Sequence, residues 1–255
     1  MTAARNHDKV VSEQFGSTAA AYLTSTVHAQ GADLQQLAAY AGKFPQGKAL
    51  DVGCGAGHAA FAIAPHTGVV IAYDLAAEML DVVQHAAAER GLKNLHVQQG
   101  SADRLPFADA SFELVCTRFS AHHWTRLPEA LAEMARVLKP GGTCIVIDTA
   151  APEDVLSDTY FQSIELLRDT SHVRNRSVAG WRRLLAEAGL RPAADNSWKL
   201  PLQFDTWVAR MRTPPERVAA IKSLWDSAPS EVSAYFELQA DYSFSIDVVQ
   251  LECYK

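Results

Sequence analysis

The chain has 255 residues, 48% of them hydrophobic, which is enough apolar mass to close a sizeable core and excludes a disordered or fibrous reading. Its formal net charge of -6 argues against a broad electrostatic grip on a phosphate backbone, so no nucleic-acid partner is expected. The opening MTAARNHDKVVSEQF has no apolar leader core, and no later apolar run approaches the ~20 residues of a membrane span, so a cytoplasmic protein is expected.

The first forty-odd residues read as mixed helix, with Phe15, Tyr22, Leu23, Leu34 and Leu37 spread through a polar background. From Lys48 a regular alternation begins. KALDVG reads as a short strand, GHAAFAIA as a helix, and GVVIAYD as a second strand ending on an acid, which makes a βαβ unit. The next helix, DLAAEMLDVVQHAAAERG, carries Leu75, Met79, Val82 and Ala86 on one face, with Gly91 placed to stop it. LHVQQG and FELVCT follow as strands on either side of a polar turn, SADRLPFADA. LPEALAEMARVLKPGG then reads as a helix with Leu127, Leu131, Met134 and Leu138 inward, closed by Pro140 and two glycines. TCIVIDTA is a continuous apolar strand, as expected where helices cover both faces of a parallel sheet.

After Ala150 the rhythm loosens. A polar stretch, PEDVLSDTYFQSIELLRDTSHVRNRS, leads to a helix around Trp181, Leu184 and Leu185 closed by Gly189, then to a strand at LRPAADNSW. PLQFDTWVARMRTPPERVAAIKSLW reads as a helical insertion, and YSFSIDVVQLECYK as a final strand. The expected fold is a doubly wound, mostly parallel sheet of about seven strands with the last one antiparallel, flanked by N-terminal helices. A single domain over 1–255 is expected, with a cofactor-binding core at about 46–150 and acceptor-site elements at about 1–45 and 150–241.

The residues that carry chemistry are ALDVGCGAG, at 49–57, in the turn between the first strand and its helix. Gly53, Gly55 and Gly57 let the backbone approach a ligand where a Cβ would clash, and the helix behind them offers free N–H groups. A dinucleotide fingerprint, G-x-G-x-x-G, would need a third glycine where this chain has His58. Asp51, two residues before the first glycine, would repel a diphosphate and attract an ammonium group. That favours S-adenosyl-L-methionine, which has an amino acid moiety and a sulfonium in place of phosphates. Asp74, at the tip of the second strand, is placed to accept both hydroxyls of a ribose, a contact that either cofactor class would use.

These residues, with GSADRLPFADASFELV and EMARVLKPGG, resemble class I methyltransferases of the group similar to ubiquinone/menaquinone C-methyltransferases, the methyltransferase type 11 domain, from about Phe15 to Thr149. The resemblance implies S-adenosyl-L-methionine as cofactor and S-adenosyl-L-homocysteine as product. It implies that backbone at Gly53, Cys54 and Gly55 lines the methionine part, that Asp74 and Leu75 flank the ribose, and that Met79 packs near the adenine. It further implies that Ala102 and Asp103 meet the adenine edge. Ser101 departs from the group, where many relatives carry an aspartate, and leaves more of the polar recognition to Asp103. The segment CTRFSAHHW resembles the fourth-strand exit that borders the methionine end, with Arg118, Ser120 and His123 as the residues of interest. FGSTAAAYLTSTVHAQG resembles the N-terminal helix that closes over the cofactor, with Phe15 and Tyr22 near the sulfonium.

The candidates for a general base are Tyr22, His28 and His123, although the pair His122 and His123 could equally cap the following helix. Trp198, Phe204, Trp207 and Trp225 either line an apolar acceptor pocket or belong to the core, and Arg210, Arg212 and Arg217 either meet an anionic acceptor or form a solvated face. No histidine and carboxylate set has ligand spacing on one element, so no metal is expected. The four cysteines, Cys54, Cys116, Cys144 and Cys253, lie far apart and read as reduced thiols. The expected partner is a small-molecule acceptor methylated on carbon or oxygen, and a homodimer is one possible assembly. The rival readings are a nicotinamide-dependent oxidoreductase, a non-catalytic cofactor-binding protein on the same fold, and a methyltransferase acting on a macromolecule.

Overall fold

A computed structural model describes residues 6–16 and 31–255. Seven strands form one sheet in the order β3-β2-β1-β4-β5-β7-β6: β1 (Lys48–Val52), β2 (Val69–Asp74), β3 (Leu95–Gln99), β4 (Phe112–Arg118), β5 (Leu138–Ala150), β6 (Arg191–Leu202) and β7 (Phe244–Tyr254). The five strands from β3 to β5 are mutually parallel, and β7 runs antiparallel to both of its neighbours. The order turns back at β1, with β2 on one side and β4 on the other, which opens a crevice at the carboxyl ends of these strands.

The helices follow from the apolar runs between the strands. They are α1 (His7–Gly16), α2 (Ala32–Gly42), α3 (His58–Ile63), α4 (Ala77–Glu89), α5 (Leu127–Val137), α6 (Val155–Arg168), α7 (Val178–Glu187), α8 (Phe204–Arg210), α9 (Pro215–Asp226) and α10 (Ser230–Tyr235). One face of the sheet, with Leu50, Val52 and Val115, buries against α5 and α7 through Leu131, Met134 and Trp181. The other, with Ala49, Leu114 and Cys116, buries against α2, α3 and α4 through Leu37, Ala60 and Val83. This is the strand alternation that a two-sided core requires, because successive side chains point to opposite faces. A third core joins α6, α8, α9 and α10 to the ends of β6 and β7 around Phe161, Trp207, Trp225 and Phe244.

Three sequence expectations are corrected. The buried stripe of α4 is Met79, Leu80, Val83, Ala86 and Ala87, and Leu75 precedes the helix. The helix α5 ends at Val137, because Leu138 is already extended at ψ 134, and Lys139 to Gly142 run into β5. There Gly141, at φ 75, sits beside a register shift between Phe112 and Leu114, so the two glycines shape a bulge rather than a stop. The polar stretch after Ala150 contains α6, whose buried residues are Ser157, Phe161, Ile164 and Glu165. Half of that stripe is polar, and Val155 and Leu166 face outward, so no helical apolar period was readable. Asp154 caps this helix by accepting the Ser157 N–H at 2.8 Å.

Candidate functional site

The crevice at the strand ends is a cavity of about 290 Å³. Its walls take in Phe15, Asp51, Gly53, Cys54, Gly55, Asp74, Leu75, Met79, Ser101, Ala102, Asp103, Arg118, Ser120 and His123. Every residue expected at a cofactor site is therefore in one place, except Tyr22, which with His28 lies outside the described residues.

The turn after β1 is built from backbone. Gly53, Gly55 and Gly57 have φ of 67, 50 and 85, a left-handed region that costs other residues about 1–2 kcal/mol. A Cβ on Gly53 would come within 2.0 Å of Ser120 Oγ, whereas a Cβ on Gly55 would meet no protein atom within 4 Å. Gly55 is thus the point where the loop offers bare backbone to a ligand. Asp74 fixes the loop, because its Oδ2 accepts the Gly55 N–H at 2.8 Å and its Oδ1 accepts the Ala76 N–H at 2.9 Å. Burial raises its pKa against the lowering effect of those N–H groups.

Asp51 is 1% exposed and accepts the Ala60 N–H of α3 at 3.0 Å. Burial lifts its carboxyl to about 7, the charge of Asp74 adds to that, and the Ala60 N–H and Arg118 oppose it. The Cys116 Sγ lies 3.8 Å from Asp51 Oδ1, and burial pushes the thiols of Cys54 and Cys116 well up, so neither is a thiolate nucleophile. At the third strand exit, Ser101 Oγ donates to Asp103 Oδ1, and Arg126 Nη1 lies 3.1 Å from Asp103 Oδ2. Past β4, Phe119 has φ 50, a strained conformation for a bulky residue, and this turn sends Arg118 and Ser120 to the cavity wall. The Arg118 Nε lies 2.5 Å from Asp33 Oδ2 in a buried pair. Among the described lining residues the acids Asp8, Asp51, Asp74 and Asp103 outnumber two guanidiniums, Arg118 paired with Asp33 and Arg126 paired with Asp103, so the balance of the lining favours a cation.

A family model described as a methyltransferase domain matches residues 50–146. The chain is 48% identical over 201 residues to the uncharacterized protein YafE of Escherichia coli, covering 78% of this chain and 96% of that one. It is 36% identical over 222 residues to the uncharacterized methyltransferase YcgJ of Bacillus subtilis, covering 87% and 88%. The crystal structure of YcgJ superposes with a TM-score of 0.84 over 88% of this chain and 98% of that one, at 34% identity. A demethylmenaquinone methyltransferase of Chlorobaculum parvum is 37% identical over 108 residues, 42% of this chain and 43% of that one.

The chain belongs to the class I methyltransferase family. It is an enzyme of that family with the Rossmann-like sheet expected from the sequence.

Several residues of this cavity were not foreseen. Tyr73, 1% exposed, donates its hydroxyl toward the carbonyls of Ser101 (3.2 Å) and Arg104 (3.3 Å), and so shapes the β3 exit loop. A Cβ on Gly100 would approach that hydroxyl to 1.9 Å, which is why the loop needs glycine there. From α1, His7, Asp8 and Val11 join Phe15 on the cavity wall, and the His7 Nε2 donates to the His123 carbonyl at 3.0 Å. Trp124 and Arg126 also line the cavity.

The late aromatics of the methyltransferase are core residues. Phe204, Trp207 and Trp225 are each 2% exposed in the third core, and Trp198, on β6, is partly buried against the core shared with α2, α3 and α4. Arg210, Arg212 and Arg217 do not line the cavity, and among the described residues no wall comes from 151–241. That region reaches the site from behind, through a buried polar network. His122 Nδ1 donates to Asp148 Oδ1 at 2.6 Å, His123 Nδ1 lies 3.0 Å from the Ser171 carbonyl, and His172 Nε2 lies 2.9 Å from Gln162 Oε1. Neither histidine of the 122–123 pair makes a side-chain cap of α5, whose N-cap is Arg126. Among the described residues no set of three or more His, Cys, Asp or Glu could hold a metal ion, and no helix is long and apolar enough to cross a membrane.

Proposed function

We propose that this cavity binds S-adenosyl-L-methionine and that the enzyme transfers its methyl group to a carbon or oxygen of a small-molecule acceptor. The observation that carries this reading is the pair of acids flanking a bare glycine turn, Asp51 buried behind Gly53 and Asp74 holding Gly55. A diphosphate at this turn would meet two carboxylates. A ligand with an ammonium group and a ribose diol finds a partner for each, and a cation beside Asp51 would draw its carboxyl back toward ionisation.

On this reading the backbone of Gly53, Cys54 and Gly55 holds the methionine part, Asp74 and Leu75 the ribose, and Met79, Ala102 and Asp103 the adenine. Phe15, Ser120 and His123 border the place where the acceptor must arrive. The bound cofactor supplies an electrophilic methyl group, and what the protein adds is orientation in a dry site, where alignment within about 3–3.5 Å has large effects on rate.

Calorimetric titration with S-adenosylmethionine, S-adenosylhomocysteine and NADH side by side tests the reading. Binding of both adenosyl compounds with NADH silent is the expected result. Binding of NADH alone would overturn it.

A further inference from the structure

The turn Ala121–His123 sets two histidines side by side with ring centroids 4.1 Å apart, and their surroundings push their proton affinities in opposite directions. At His122 burial would lower the pKa, but the charge and hydrogen bond of Asp148, helped by Glu165 and Asp169, carry it above the ordinary value. At His123 burial and the charge of His122 act together and lower it to about 4, against the weaker pull of Asp169 and Asp148. His123 is therefore held toward its neutral form and His122 toward its charged one.

Which nitrogen of His123 holds its one proton follows from its partners. Nδ1 lies 3.0 Å from the Ser171 carbonyl oxygen and 3.2 Å from Ser171 Oγ. A carbonyl only accepts. The Ser171 hydroxyl proton is directed to Asp169 Oδ1 at 2.6 Å, so toward the ring that oxygen accepts as well. Nδ1 must be the donor, which leaves Nε2 with its lone pair. Among the described residues no hydrogen bond reaches Nε2, and the ring stands on the cavity wall with Phe15 edge-on at 4.9 Å.

We propose that His123 Nε2 is a general base, and that the acceptor is an acid whose enolic or phenolic proton is activated by an adjoining electron-withdrawing group. In the step, the acceptor X–H bond breaks, its electron pair stays on X, and the proton bonds to the Nε2 lone pair to make an imidazolium. X is then the nucleophile for methylation. The step rests on the reading of the cavity as a methyl-transfer site. The charged and titratable groups around the ring are His7 from α1, His122 beside it, Asp148 from β5, Glu165 and Arg168 from α6, and Asp169 and His172 beyond it. Because burial, and then the neighbouring His122, oppose a positive charge on this ring, the nitrogen is a weak base, which selects an acceptor whose proton is already acidic.

The experiment is a long-range proton–nitrogen NMR correlation on the full chain labelled with ¹⁵N-histidine, titrated from pH 7.5 down to 4.5. His123→Asn identifies the ring by loss of its signals, and Ser171→Ala, which perturbs Nδ1, identifies it if that variant fails to fold. A neutral Nδ1–H ring at pH 7.5 that protonates only near the acid end is the expected result. A cationic ring or an Nε2–H tautomer at pH 7.5 would overturn the assignment. Calorimetry with S-adenosylhomocysteine on the same sample separates the two claims: absence of binding sinks the methyl-transfer reading, whereas binding with the wrong tautomer sinks only the base.

Discussion

Two sides of one cavity are built on different principles. The β1 and β2 exits are made of backbone: three left-handed glycines, and an aspartate whose two oxygens are each held by a main-chain N–H. The corner past β4, at His122 and His123, is made of side chains gathered from β5, α6 and the loop after it, and burial, helped by the neighbouring His122, holds His123 and His172 toward their neutral forms. The backbone side can present a fixed shape to a cofactor at any pH near neutrality. The side-chain corner is a set of coupled protons, suited to handling one. The contrast teaches that shape is supplied by the glycine side and proton handling by the histidine corner, with Asp51, near 7, as the one group that ties the glycine side to pH.

The largest expected effect is on the shape. Gly55→Val puts a β-branched residue at φ 50 with its side chain in the cavity, and should abolish cofactor binding by calorimetry, a loss of more than ~100-fold. Retained affinity would remove the turn from the site. Asp74→Ala should weaken binding by ~10–100-fold, the worth of a charge-assisted hydrogen bond of about 1.5–3 kcal/mol, while thermal unfolding shows a folded protein. Unchanged affinity would end its ribose role.

Smaller effects probe charge. Because burial holds Asp51 near 7, a cation bound beside it should expel a fraction of a proton at pH 7, seen as a dependence of binding heat on buffer ionisation. Asp51→Asn should erase that dependence; if it persists, the ammonium is not at Asp51. His123 tests the other corner through stability. Its folded pKa, about 4, lies below the ordinary 6.5, so the stability of the neutral ring is present above about 6.5 and is lost as pH falls toward 4. His123→Asn escapes that loss. The stability gap between wild type and variant should therefore narrow by up to about 1 kcal/mol per pH unit over this window in denaturant titrations. Parallel curves would mean that His123 is not held neutral. Arg126→Ala should be the mildest, within about 0.5 kcal/mol of wild-type stability, since its pair with Asp103 is 62% exposed on the arginine side.

The same contrast decides what could be read in the sequence. The glycine spacing at 53–57 and the acids Asp51 and Asp74 write backbone geometry directly into residue type, and the alternation of strands and helices from Lys48 to Ala150 needed no long-range knowledge. The expected lining residues therefore fell together in one cavity. Tyr73 was hidden inside an apolar strand, where a hydroxyl that shapes a loop 28 residues away leaves no local mark. Ser171 and Asp169 lay in a stretch that looks merely polar. They matter because α6, whose buried face carries Ser157 and Glu165, brings them behind His123. The aromatics after Trp198 were ambiguous for the opposite reason: large apolar side chains fill a core or a pocket equally well, and only packing separates the two.

The most direct test of the whole account is a crystal structure of the protein with S-adenosylhomocysteine. The expected result is the ribose hydroxyls on Asp74, the amino group toward Asp51 and the backbone of Gly53 and Gly55 against the amino acid moiety. An adenosyl ligand seated elsewhere, with the cavity at the strand ends unfilled, would contradict it.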